Sequence, residues 1–308
     1  MSVIKTYYRD DKEVVENYLL TTMSWDLKPD GVLLITFTSP VALNPMTFAW
    51  VSEIFFCLEH AERLKEVKVV VLTGSGRAFS AGASVEMLKV LSRGDKLVPD
   101  DYVQAMGQNI FSLQKGYDHF GKGQASHFPD IALHGLTRRF LSFPKILVCA
   151  INGLAVGGAA NISLLLADFT FTCPSSKFMY PFANRGVPPE LSSSVTLAAT
   201  IGLPQAKRLL MLGDTFDGQE CQRLGLTYRH VSNDADLLPE AMSFASKQAN
   251  DPTLPGKELV KQSLNRRVLE SLAALQVCEK ENLEFVASTK TNYFRAVTFA
   301  LLKKFAKL

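Results

Sequence analysis

The feature that most constrains the fold is an apolar segment, residues 145–194, that glycines break twice. Its first part, Ile146–Ile151, is apolar throughout and has the length of a buried strand. Residues 153–158 are predicted to form a turn, and Gly157-Gly158 at its end lead into small and apolar residues, a pattern typical of a helix start. A strand, a glycine turn and a helix start in this order aim unpaired backbone N–H groups at one point in space. Farther along, a lone acid, Glu190, follows a proline-rich turn, where its carboxylate can be held to move a proton. A helix is predicted to begin directly after it, at Leu191.

Strand-like and helix-like patterns alternate up to about residue 231, and helical patterns alone follow. Short apolar runs rich in β-branched residues indicate buried, parallel strands. These runs are Val32–Phe37, Val67–Leu72 and Lys145–Ile151. The order predicts an α/β fold with a parallel-sheet core over residues 20–231 and a C-terminal helical region over residues 232–308. Residues 93–129, rich in Gly, Asp, Lys and Gln, are predicted to form an irregular insertion.

Charge and cysteine content argue against several classes of function. The net charge of +3 is small for 308 residues, and acids and bases are mixed along the chain, which argues against a nucleic-acid-binding protein. The five cysteines are isolated and form no C-x-x-C pair, so the sequence predicts neither a metal site nor a disulfide framework. Polar residues cut the apolar stretch 146–171 into pieces too short to span a bilayer, so we expect no membrane span.

A second glycine-containing loop, residues 73–84, follows a predicted strand. Phe79 occupies the position of the third glycine in a dinucleotide-binding G-x-G-x-x-G motif, so the loop does not match that motif. Ala81-Gly82-Ala83 would let a ligand approach the backbone, and Ser84 is placed to cap the following helix. Judged by this loop alone, the alternative to a ligand-binding role is an ordinary tight connection between a strand and a helix. The chain contains no G-x-S-x-G elbow, P-loop or H-E-x-x-H motif, which removes most covalent, phosphate and metal chemistry.

Four motifs together carry a resemblance to a known family. They are S-P-V-A-L-N at Ser39–Asn44, S-A-G-A-S at Ser80–Ser84, I-N-G-L-A-V-G-G at Ile151–Gly158 and Y-P-F-A-N-R-G-V-P-P-E at Tyr180–Glu190. In this order the chain resembles the enoyl-CoA hydratase/isomerase (crotonase) superfamily, and the last motif is similar to the peroxisomal Δ3,Δ2-enoyl-CoA isomerases. The resemblance implies a crotonase-like spiral of ββα repeats, an acyl-CoA thioester substrate, and assembly as a homotrimer or homohexamer. It also implies no separate cofactor, since coenzyme A is part of the substrate.

The resemblance further implies roles for individual residues. The backbone N–H groups of Ala83 and Gly158 would form an oxyanion hole for the thioester oxygen, and Glu190 would be the catalytic acid/base. Contacts to the substrate and its CoA are implied for Ala42, Leu43, Ala81, Gly82, Ser84, Val85 and Gly157. The acyl pocket would include Asn161, Phe182 and Leu191. Asn161 and Phe182 stand where hydratases of the superfamily have their two glutamates, which argues against hydration.

The sequence therefore predicts a Δ3,Δ2-enoyl-CoA isomerase that moves a 3-enoyl-CoA double bond to the trans-2 position in unsaturated fatty acid β-oxidation. The alternatives are a dienoyl-CoA isomerase, an enoyl-CoA hydratase, or a non-catalytic acyl-CoA-binding protein of the same fold. The C-terminal Ala306-Lys307-Leu308 is a close variant of the S-K-L address, which predicts binding to the peroxisomal import receptor and location in the peroxisome or glycosome. The end of a basic helix is the alternative for this tripeptide.

Overall fold

Fourteen short strands form the sheets of the protein in a computed structural model that describes residues 2–4, 7–9, 12–14, 18–85, 87 and 135–270. The predicted insertion at 93–129 and the tripeptide Ala306-Lys307-Leu308 lie outside the described residues. In chain order the strands are β1 (Ser2–Ile4), β2 (Tyr7–Arg9), β3 (Lys12–Val14), β4 (Tyr18–Leu20), β5 (Met23–Leu27), β6 (Val32–Phe37), β7 (Val69–Gly74), β8 (Ala78–Ser80), β9 (Ile146–Ile151), β10 (Leu154–Val156), β11 (Phe169–Thr172), β12 (Lys177–Met179), β13 (Phe216–Asp217) and β14 (Arg229–His230).

Helices follow or cover these strands. The described α-helices are α1 (Phe48–Arg63), α2 (Leu136–Ser142), α3 (Gly158–Asn161), α4 (Ser193–Ile201), α5 (Leu203–Leu212), α6 (Gly218–Arg223), α7 (Leu237–Ala249) and α8 (residues 254–270). A π-helical stretch, Ile162–Leu166, continues α3. Within the part of the chain that the structure describes, no helix has the length and apolar character needed to cross a membrane.

Two sheets share most of the strands. The larger has the order β14-β11-β9-β7-β6-β5, and all its neighbours are parallel except β5 and β6. The smaller has the order β13-β12-β10-β8, and only β12 and β13 are antiparallel. The consecutive pairs β7/β8, β9/β10 and β11/β12 each place their first strand in the larger sheet and their second in the smaller. This repetition, followed by α7 and α8, confirms the predicted α/β spiral of ββα units with a C-terminal helical region.

The central strands β7 and β9 are apolar on both faces because helices cover the larger sheet on both sides. One face, which carries Val70, Leu72 and Leu147, belongs to the same hydrophobic cluster as α1. The opposite face, which carries Val69 and Val71, packs with the buried alanines of α7. Successive side chains of a strand point to opposite faces, so burial on both sides requires a continuous apolar run.

The structure corrects the sequence prediction in two places near the glycine turn. Residues 153–158, predicted as a turn, contain β10, which pairs with β8 on one side and β12 on the other. A three-residue strand shows no periodicity, and its partners are distant in the sequence. The helix predicted from Leu191 begins at Ser193, because Leu191 and Ser192 have positive φ angles of 52° and 64°.

A buried ion pair fixes α8 to the core. The Lys261 Nζ atom lies 2.7 Å from Asp168 Oδ2 and 2.7 Å from the Lys145 carbonyl oxygen. Asp168 Oδ2 also accepts a hydrogen bond from the Leu147 N–H at 2.7 Å. Burial raises the pKa of Asp168 and lowers the pKa of Lys261, and the attraction between the two charges opposes both shifts. The described part of the region 232–308 thus packs on the core, and the domain boundary at residue 231 stays a prediction.

Replacing Lys261 with Met should lower the free energy of unfolding by about 3–5 kcal/mol, because the Asp168 carboxylate would stay buried without its counter-charge. Urea denaturation followed by circular dichroism measures the change. Arg229→Met removes an exposed ion pair with Glu240 and is the matched control, with little expected effect. Adding Asp168→Asn to Lys261→Met should recover part of the loss. Equal losses in Lys261→Met and Arg229→Met would contradict a structural role for the buried pair.

Candidate active site

The candidate site lies where β8 and β10 end. The two strands are parallel neighbours, so the segments that follow them, Ala81–Ser84 and Gly157-Gly158, leave the sheet side by side. Gly82 has a φ angle of +79°, and a Cβ atom on it would lie 2.5 Å from the Val156 carbonyl oxygen. The two backbones therefore approach each other at a point that only glycine can occupy.

Met46 contacts both glycine-containing segments. It forms a parallel bridge with Ala83, in which its N–H donates to the Gly82 carbonyl oxygen at 2.8 Å and its own carbonyl oxygen accepts from the Ser84 N–H at 2.9 Å. The Met46 Cε atom lies 3.7 Å from the position that a Cβ on Gly158 would take. Ala83 and Gly158 therefore both lie next to Met46, Ala83 beside its backbone and Gly158 beside the end of its side chain. The sequence prediction missed Met46, since a methionine after Asn-Pro belongs to no motif.

The two predicted backbone donors have no acceptor among the residues that the structure describes. Among the hydrogen bonds of the described residues, none uses the N–H of Ala83 or of Gly158. Gly158 is the first residue of α3, and the first N–H groups of a helix have no partner within it. Ala83 precedes the helix that Ser84 caps and that half-buried Val85 begins, and the Ser84 Oγ accepts from the Met87 N–H at 3.2 Å. Both N–H groups are thus available to a ligand.

The carboxylate of Glu190 lies beside the second of these donors. Its Oε1 atom is 3.2 Å from the position of a Cβ on Gly158 and 3.8 Å from that of a Cβ on Gly157. Glu190 is half-buried, so its carboxylate is partly shielded from water. Burial lowers the pKa of Arg185, and the Glu190 carboxylate opposes that shift, which places a positive charge within electrostatic range of the acid. The structure therefore brings the glycine turn and the lone acid together.

Apolar side chains cover the glycines next to Glu190. The Phe182 Cε1 atom lies 3.8 Å from the position of a Cβ on Gly157, and the Leu191 Cδ1 atom lies 2.9 Å from that of a Cβ on Gly158. Both side chains are buried. Asn161, the third residue predicted for the acyl pocket, is fully buried, and its Nδ2 donates to the Leu191 carbonyl oxygen at 2.5 Å. Its amide therefore contacts the backbone that follows the acid.

The residues predicted to contact CoA, Ala42 and Leu43, lie against the first glycine-containing segment. The Leu43 carbonyl oxygen accepts from the Ala81 N–H at 2.8 Å. Leu43 and the next residue, Asn44, have positive φ angles of 61° and 52°, a conformation that non-glycine residues rarely adopt. The buried Asn44 amide stabilises this turn and donates to the Ala78 carbonyl oxygen at 2.8 Å. The structure thus brings the two predicted CoA-contacting segments together.

The chemistry available at this point is charge stabilisation and proton transfer. In the described parts of the chain, no group of three or more His, Cys, Asp or Glu side chains is placed to hold a metal ion. Two open N–H groups can stabilise a negative charge that develops on a carbonyl oxygen. A carboxylate beside them can remove and return a proton on a neighbouring carbon.

Known proteins share this fold. A family model described as enoyl-CoA hydratase/isomerase matches residues 28–117 and 107–298. The chain is 26% identical to the 1,2-epoxyphenylacetyl-CoA isomerase of Escherichia coli strain K12 over 274 residues, 89% of this chain and 93% of that protein. It is 30% identical to an enoyl-CoA hydratase structure from Mycobacterium marinum, with a TM-score of 0.62 over 80% of this chain and 100% of that one. An enoyl-CoA hydratase/isomerase structure from Pseudoalteromonas atlantica, 20% identical, has the same fold, with a TM-score of 0.73 over 92% of this chain and 98% of that one.

Replacing Gly82 with Ala should lower the free energy of unfolding by about 2–4 kcal/mol, because the φ angle is positive and the new Cβ would collide with a carbonyl oxygen. Chemical denaturation measures the loss. Gly256→Ala is the matched control, because a Cβ there meets open space within α8 and alanine is the better helix former. If Gly82→Ala proved as stable as Gly256→Ala, the close backbone approach would be wrong.

Proposed function

Since the chain belongs to the enoyl-CoA hydratase/isomerase family, we propose that it is a Δ3,Δ2-enoyl-CoA isomerase acting on 3-enoyl-CoA in the β-oxidation of unsaturated fatty acids. The observation that carries the proposal is the position of the Glu190 Oε1 atom, 3.2 Å from where a Cβ on Gly158 would lie. An acid beside an open backbone donor supports enolate chemistry, because the donor stabilises the negative charge while the acid moves the proton.

In the proposed reaction, the N–H groups of Ala83 and Gly158 bind the thioester oxygen of a 3-enoyl-CoA. Glu190 removes a proton from the α carbon, and the electron pair is delocalised onto the thioester oxygen as a dienolate. The double bond then forms between the α and β carbons, and Glu190 returns its proton to the γ carbon. No atom is gained or lost, so the reaction requires no cofactor. A backbone donor of this kind contributes about 10²–10³ in rate.

Among the described side chains next to Gly157 and Gly158, Glu190 is the one acid, which supports isomerisation over hydration. Hydratases of the superfamily use two glutamates to add water. The positions of this chain that match those glutamates hold Asn161 and Phe182. Neither side chain takes up or releases a proton near neutral pH. Around Gly157 and Gly158, the nearest described side-chain groups are the Glu190 carboxylate and apolar atoms.

The surrounding residues support an elongated acyl-CoA substrate. We place the acyl chain against Phe182 and Leu191, which pack on the glycines beside Glu190. We place the CoA moiety along the backbone of Ala42-Leu43 and of Ala81–Val85. The hydrogen bond from the Ala81 N–H to the Leu43 carbonyl oxygen keeps these two segments together.

Glu190→Gln should lower kcat for isomerisation of a 3-enoyl-CoA by about 10²–10⁴-fold with little change in KM, because the amide keeps the shape but cannot accept the proton. Formation of the conjugated 2-enoyl thioester, followed by ultraviolet absorbance, measures the rate. Glu240→Gln makes the same chemical change at an exposed ion pair with Arg229 and should retain full activity.

Each rival function gives a different outcome in the same assays. An unchanged kcat in Glu190→Gln would remove that residue from the reaction. Wild-type protein that hydrates a 2-enoyl-CoA without isomerising a 3-enoyl-CoA would indicate a hydratase. Turnover of a dienoyl-CoA alone would indicate a dienoyl-CoA isomerase. Binding of CoA thioesters without any turnover would indicate a non-catalytic member of the fold.

Assembly and location form two further parts of the proposal. We propose that the chain assembles as a homotrimer or homohexamer, the assembly that the resemblance to its family implies. We also propose import into the peroxisome or the related glycosome by the receptor that recognises Ala306-Lys307-Leu308.

Deleting Ala306-Lys307-Leu308 should leave an N-terminally tagged fluorescent fusion in the cytosol, because the import receptor reads the free C-terminal tripeptide. Fluorescence microscopy against a marker of the organelle measures the distribution. Replacing the same tripeptide with Ser-Lys-Leu is the control and should preserve import. Import of the truncated protein at the rate of the full chain would contradict this targeting role.

A further inference from the structure

We propose that Asn161 is a positioning residue that holds the backbone after Glu190 in place, so that the acid stays aligned with the Gly158 donor. The inference rests on the proposed function, because it assigns a role within the same site. Asn161 does not contact the reacting atoms in this proposal. It acts through the Leu191 carbonyl oxygen, to which its Nδ2 donates at 2.5 Å.

One helical segment carries both the backbone donor and this side chain. Gly158 begins α3 and Asn161 ends it, three residues later and therefore on the same face. The Asn161 N–H donates to the Gly157 carbonyl oxygen at 3.0 Å, which fixes its backbone to the glycine turn. The side-chain bond to Leu191 thus connects the segment that presents the N–H group directly to the segment that presents the acid.

The backbone after Glu190 requires such support. Leu191 and Ser192 both have positive φ angles, 52° and 64°, in a region that non-glycine residues occupy only when their surroundings hold them there. The Glu190 carbonyl oxygen accepts from the Ser193 Oγ at 2.7 Å, a bond within the same segment. The Leu191 carbonyl oxygen is instead held from α3 by Asn161, which orients the strained turn relative to the glycines.

The chemistry of the amide fits this role. Asn161 is fully buried, its Nδ2 is the donor to Leu191, and its Oδ1 has no hydrogen-bond partner among the described residues. The side chain is therefore used for its N–H group. A carboxylate at the same position would place an acceptor against the Leu191 carbonyl oxygen and repel it. With asparagine at position 161, the site has no second acid there, and the side chain supplies an N–H donor for the Leu191 carbonyl oxygen.

Asn161→Leu removes the donor at similar volume, and Asn161→Asp in its ionised form replaces it with an acceptor. Both should lower kcat for 3-enoyl-CoA isomerisation by about 10–10²-fold while KM stays near the wild-type value, because misplacing a catalytic group affects the chemical step. Thr73→Val is the matched control. It removes a buried hydrogen bond of 2.9 Å to the Ala150 carbonyl oxygen, between two strands of the larger sheet, and kcat should not change.

Two further measurements separate this inference from the proposed function. Exchange of the α proton of a saturated acyl-CoA in deuterated water, followed by NMR, reports proton removal by Glu190 without any double-bond shift. If the wild type exchanges but does not isomerise, the proposed function fails, and slower exchange in Asn161→Leu still supports the positioning role. Crystal structures of the wild type and Asn161→Leu test the geometry without any activity. A Glu190 carboxylate that keeps its distance to the Gly158 nitrogen, or an unchanged kcat in both variants, would overturn the inference.

Discussion

The backbone contact between Gly82 and Val156 is the constraint on which the candidate site depends. Strands β8 and β10 end side by side, and the segments beyond them can meet only where no side chain stands between them. A Cβ on Gly82 would lie 2.5 Å from the Val156 carbonyl oxygen, well inside the distance that two such atoms tolerate. The contact brings the backbone of Ala83, one residue beyond Gly82, close to that of Gly158, two residues beyond Val156.

Because each strand pair is divided between the two sheets, Glu190 comes from a third segment, the one that follows β12, in addition to the segments after β8 and β10. The smaller sheet continues from β10 to β12, and the Gly157 N–H donates to the carbonyl oxygen of Met179, the last residue of β12, at 2.9 Å. The chain beyond β12 then passes over the glycine turn with Phe182 and Glu190. Each unit of the spiral therefore contributes a segment to the same edge of the smaller sheet, since the ends of parallel strands meet there.

The features that can be predicted from the sequence are those whose residue pattern is required locally. The central strands are continuous apolar runs because both faces are buried, and the glycine turn is visible because two backbones approach each other there. Non-local features leave no such signal. The three residues of β10 become a strand only through partners on both sides, and Leu191 has no intrinsic preference for the left-handed conformation. Lys261 resembles any solvated lysine until its contact with Asp168 is known.

Asn161 has one meaning in the sequence and a second one in the structure. In the sequence it marks a missing carboxylate, which leaves Glu190 as the acid that the motifs identify. In the structure its amide donates to the backbone beside Glu190, a bond that a carboxylate cannot make with a carbonyl oxygen. Restoring an acid at this position would therefore add a proton-transfer group and at the same time release the strained turn that aligns Glu190. The proposed use of one acid is in this way coupled to the packing of the site, and the two features cannot be changed independently.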